Sequence, residues 1–89
     1  MSYNAVTVTN TPTLIVGANC RRQELTLVNN SSVDIFVGPD ASITSSNAVP
    51  LFASQRNDRW KGPGGSWLGD IYGVTASGSA DIRFWEVER

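Results

Sequence analysis

Turn-forming clusters interrupt this chain every 8–12 residues or so, a spacing that suits short strands and leaves no room for long helices. They fall at Asn10-Thr11-Pro12, Gly17-Ala18-Asn19, Asn29-Asn30-Ser31-Ser32, Gly38-Pro39-Asp40, Ser45-Ser46-Asn47, Ser54-Gln55, Gly62-Pro63-Gly64-Gly65 and Ala76-Ser77-Gly78. Between them lie β-prone runs at 4–9, 13–16, 22–29, 33–37, 48–52, 56–61, 67–75 and 79–88. No stretch offers ten residues of clean 3.6-residue periodicity between breakers. The spacing predicts an all-β domain of seven or eight strands, a sandwich or a barrel, with almost no helix.

Composition agrees. Charged residues make up 17% of the chain, with a single Lys, so a long charged surface helix is excluded. Eight aromatics and a net charge of −1 do not suit a solvated coil. Eighty-nine residues make one domain, 1–89, with a small core. Residues 1–10 read either as a first strand or as an extended arm that adds to another subunit's sheet.

Alternation sets expectations for register. Leu25 and Leu27 share one parity in 22–29, and Val33, Ile35 and Val37 share another in 33–37. A three-residue loop at 30–32 would place Leu25 opposite Val37 and Leu27 opposite Ile35, so a hairpin is expected here. Its other face would carry Val28 and Phe36, which calls for cover by an arm or a neighbour. In the last run Ala80, Ile82 and Phe84 share a face, but the pattern then inverts, with Trp85 and Val87 apolar and Glu86 at the former core parity. Either a bulge re-aims the strand near 84–85, or Trp85 and Val87 face a partner.

The same residues exclude much chemistry. There is no histidine, so Ser-His-Asp and Cys-His catalysis and His-based metal sites are absent. Cys20 adjoins Arg21 and Arg22 but has no base beside it, and is read as structural. The carboxylates are scattered and are read as solvated strand charges. Lys61-Gly62-Pro63-Gly64-Gly65-Ser66 has its Lys before the glycines and a strand after them, so it is a turn rather than a phosphate loop. No catalytic residue, metal ligand or cofactor site is expected.

Net charge −1 gives no field for nucleic acid, and no apolar run approaches the ~20 residues of a membrane helix. The opening MSYNAVT has no basic or apolar signal region, so synthesis in a cytosol is expected. One cysteine supplies no internal cross-link, which makes oligomerisation the expected extra source of stability. What remains is a contact surface. Trp, Tyr and Arg dominate binding hot spots, which nominates Tyr3, Arg59, Trp60, Trp67 and Trp85 for partner binding. Trp60 and Trp67 flank the glycine-rich turn, and each is equally readable as packed beneath it.

Three segments carry a family pattern: Leu25 to Gly38 (LTLVNNSSVDIFVG), Ile43 to Leu51 (ITSSNAVPL) and Gly69 to Glu86 (GDIYGVTASGSADIRFWE). Together they resemble small structural proteins of tailed bacteriophages, over about residues 22–88. Ala48 stands where that family often has Gly, and 52–67 departs from its usual Gly-rich link. The resemblance implies a β-sandwich, jelly-roll-like and trimeric, and a capsid decoration (cement) protein that binds the major capsid protein on the virion surface. Head-fibre, tail or head–tail connector pieces are the related alternatives. A carbohydrate-binding host-attachment module is the alternative that the aromatic and polar residues themselves suggest.

Overall fold

The computed structural model describes residues 2–54, 56–57 and 68–88. Arg59, Trp60, Trp67 and the Lys61–Ser66 turn lie outside them. The described residues form eight strands and no helix: β1 Ser2–Val8, β2 Thr13–Val16, β3 Arg22–Asn29, β4 Ile35–Gly38, β5 Val49–Leu51, β6 Arg56–Asn57, β7 Ile71–Val74 and β8 Ala80–Glu88. Each falls within or within two residues of a β-prone run, because turn residues and β-branched residues act locally.

Two antiparallel sheets hold them, in the orders β1-β8-β3-β6 and β2-β7-β4-β5. The first strand pairs with the last, the second with the seventh, the third with the sixth and the fourth with the fifth. This nesting describes one long hairpin of the whole chain, rolled so that β8 also meets β3 and β7 also meets β4. It is the eight-strand jelly roll. The first strand belongs to this sheet, with Val6 opposite Ile82 and Val8 opposite Ala80.

The expected β3–β4 hairpin does not form. β3 pairs with β6 and β8, whereas β4 pairs with β5 and β7 in the other sheet. Leu25, Leu27, Ile35 and Val37 all point into the core, but from opposite walls. Facing across a sandwich satisfies the same alternation as lying side by side in a hairpin, so parity could not separate the two. The corner is held by Asn29, which is fully buried. Its Nδ2 donates to the carbonyls of Val33 at 2.8 Å and Leu51 at 2.9 Å, and its Oδ1 accepts from the Ser31 hydroxyl at 2.6 Å. Every polar atom of that side chain is thereby paired.

The core is the meeting of the two inner faces. Val8, Leu25, Leu27, Ala80 and Ile82 come from one sheet, and Ile15, Val16, Ile35, Val37, Leu51 and Ile71 from the other. Gly73 makes room where they approach: a Cβ there would sit 2.7 Å from Ile15 Cδ1 and 3.4 Å from Ile35 Cγ2. Gly73→Ala should therefore cost about 1–3 kcal/mol by overpacking, read as a lower urea midpoint at unchanged slope.

One end of the sandwich closes on an ion pair. The side chains of Arg22 and Glu86 are 0% and 6% exposed, with Nε donating to Oε2 at 2.6 Å. Arg22 also donates to the carbonyls of Gly17 at 2.8 Å and Gly69 at 3.2 Å, so one guanidinium joins β3, β8 and both neighbouring loops. Glu86 is thus not the solvated strand charge the sequence suggested. Arg22→Met should destabilise by about 3–5 kcal/mol by leaving the Glu86 carboxylate buried without its guanidinium. The double variant Arg22→Met/Glu86→Leu should recover most of that loss in chemical denaturation.

Candidate functional site

Leu14, Val49, Phe52 and Leu68 are exposed elsewhere, whereas two large exposed aromatics, Tyr3 and Trp85, meet on the outer face of the β1-β8-β3 sheet. Strand pairing sets two adjacent outward rungs there. One runs Tyr3, Trp85, Thr26 and the next Ala5, Arg83, Val28. The small Ala5 side chain leaves a depression between bulky neighbours. With Asn4 and Phe84, these six residues line an open groove of about 450 Å³.

Its main wall is aromatic. Tyr3 is 75% exposed and Trp85 51% exposed. Their rings stack with centroids 6.0 Å apart and planes 24° from parallel. An offset pair of this kind contributes about 0.5–1.5 kcal/mol beyond area burial. Holding two large side chains together on a solvated sheet face makes a preorganised apolar contact surface, with little rotamer freedom left to lose on binding.

Trp85 faces out because β8 is continuous. Phe84, Trp85 and Glu86 keep unbroken register against both β1 and β3, so no bulge lies at 84–85. The irregularity falls on β3 instead, between Arg22 and Glu24. Glu86 takes the inward parity because Arg22 meets it, and Trp85 must then take the outward one. Val28, the apolar residue expected to need cover, lines the groove. Phe36 sits on the outer face of the other sheet, opposite Pro50 and Val74.

The cationic side of the groove is anchored. Asp81 Oδ2 accepts from Arg83 Nε at 3.2 Å and Nη2 at 3.1 Å, and from Asn30 Nδ2 at 3.2 Å. These contacts lie in water and position the guanidinium more than they stabilise the fold.

Of the five residues nominated from sequence, the structure brings Tyr3 and Trp85 together. Arg59, Trp60 and Trp67 lie outside the described residues. Sequence reading missed Arg83 and Thr26 as companions, and marked Val28 only as an apolar residue in need of cover. Their signal was spacing within separate runs, which became a surface only once β8 lay between β1 and β3. Cys20 is free and exposed at the turn before β3, not packed as a structural thiol. Among the described residues no three His, Cys, Asp or Glu side chains gather as metal ligands would.

Comparison with family models, curated proteins and solved structures gives no match to this chain.

The hydrogen bond from Asn30, then that from Arg83, holds the Asp81 carboxyl below its usual range. A depressed carboxylate contributes stability that is present above the unfolded-state value and is lost as pH falls through the folded one. In an NMR titration the Asp81 midpoint should lie below that of free aspartate. Asn30→Ala should move it back up.

Proposed function

We propose that this protein is a non-enzymatic virion structural protein that decorates an assembled bacteriophage capsid, seated on the major capsid protein through the Tyr3–Trp85 face. The observation that carries this reading is the exposed aromatic pair, Tyr3 stacked on Trp85, on the outer face of the jelly roll. A domain this small has few large apolar side chains, and leaving two of them stacked in water suits a surface that is covered in use. The resemblance over residues 22–88 supplies the setting, and the jelly roll is an architecture used by viral capsid proteins. The fold alone carries no function.

The mechanism needs no chemistry. A protein that binds the assembled lattice and not its free subunits stabilises the assembly by its own binding free energy. Many copies on a repeating lattice convert modest single-site affinity into durable attachment. The chain would be made in the bacterial cytosol and add to the capsid exterior.

A second reading rests on the polar groups around the aromatic wall. Asn4, Thr26 and Arg83 beside exposed rings are also suited to a sugar, as in a host-attachment module.

One experiment separates the two. Purified protein is mixed with capsids that lack it, and bound copies are counted, alongside a glycan array. Capsid decoration predicts saturable binding in large copy number, weakened about tenfold or more by Tyr3→Ala or Trp85→Ala. Both variants should stay folded, because these side chains lie outside the core. Unchanged capsid binding by both would remove this face from the contact, and glycan binding without capsid binding would replace the reading.

A further inference from the structure

We infer that the outer edge of β1 pairs with itself: two copies of this chain join β1 to β1, antiparallel about Ala5, and continue one sheet across both molecules. The strand ends its sheet in the order β1-β8-β3-β6, paired on one side only among the described residues.

The direction of its main-chain groups follows from the ladder. On the far side of β8, the Asp81 carbonyl accepts the Asn30 N–H at 2.9 Å, so Asp81, Arg83 and Trp85 turn their main chains toward β3. Ile82, Phe84 and Glu86 then bond β1. Their partners on β1 are Val6, Asn4 and Ser2. Tyr3, Ala5 and Thr7 are left with N–H and C=O directed at the open edge. Ala5 agrees independently, since its N–H donates to the Asn4 side-chain Oδ1 at 2.8 Å rather than to a neighbouring strand.

A row of alternating donors and acceptors is complemented by another extended main chain. Exposed edges are normally guarded by charge, by Pro or by a bulge. β1 has none of these: its sequence is SYNAVTV, and its register with β8 is unbroken. What makes a second copy the fitting occupant is symmetry. Ala5 is the middle residue of Ser2–Val8 and it faces the edge, so a two-fold axis beside it overlaps the two strands over their whole length. Tyr3 of each copy then lies opposite Thr7 of the other, with Ala5 opposite Ala5, for about six main-chain hydrogen bonds. A shift of two residues shortens the ladder. No charged side chain opposes another.

The contact is isologous, so it closes at two copies rather than growing into a filament. The result is a two-fold pair, not the three-fold assembly the resemblance implies. It also sets two aromatic grooves on one face, their Tyr3 residues roughly 14 Å apart along the strand direction. The pairing is independent of the attachment role and is testable without any capsid.

The test is sedimentation equilibrium on the full chain with Ala5→Pro and Asn4→Ala, joined to amide exchange. Wild type should show a reversible monomer–dimer equilibrium. Ala5→Pro removes an edge-facing N–H and no bond to β8, so it should weaken the dimer about tenfold or more. Asn4→Ala clears the side chain from the Ala5 N–H and should tighten it several-fold. In wild type the Ala5 and Thr7 amides should gain protection as concentration rises, while Asn4 and Val6 stay protected throughout. A wild type that remains monomeric at its highest soluble concentration overturns the inference, as does a trimer or a dimer whose edge amides exchange freely. Should Ala5→Pro not fold, the exchange pattern of wild type decides alone.

Discussion

The ion pair between Arg22 and Glu86 decides more of this molecule than its size suggests. A carboxylate at a core parity position is costly to bury unless a cation meets it with good geometry and spare hydrogen bonds. Arg22 does so at 2.6 Å and ties down the Gly17 and Gly69 carbonyls with its remaining donors. Because Glu86 points inward, its neighbour Trp85 points outward. The aromatic groove is therefore a consequence of the buried pair, passed along β8 by the two-residue period of a strand.

That link explains why a small domain carries both a closed core and an apolar outer face. The inner walls bury branched aliphatic residues from both sheets, with Gly73 leaving space for Ile15 and Ile35. The outer face has no opposing sheet and keeps its large side chains in contact with each other, Tyr3 on Trp85. Nesting of the chain places the first strand beside the last, so residues from the two ends of the sequence build one surface. A groove assembled in this way takes its shape from the sheet beneath it.

Most strand positions were legible because the signals are local. Asn, Gly and Pro clusters break the chain, and β-branched residues fill the gaps between them. Pairing was not legible. Leu25, Leu27, Ile35 and Val37 alternate as hairpin partners would, yet they face each other across the core. The inversion after Phe84 was visible, but its cause lay more than sixty residues away at Arg22, which read only as a neighbour of Cys20. Tyr3 and Trp85 stood out by residue type. Thr26 and Arg83 did not, since nothing in their own segments marks them, and Val28 was marked only as an outward apolar residue that needs cover.

The amino-acid sequence alone determined that this chain is all-β, roughly where its strands begin and end, and that it holds no histidine. These depend on backbone preferences and side-chain inventory, both of which act within a few residues. Tertiary structure decided which strands meet, which sheet each joins, and which exposed residues share a face. Those choices depend on burying the two inner walls together and on pairing Arg22 with Glu86, interactions between segments that are distant along the chain.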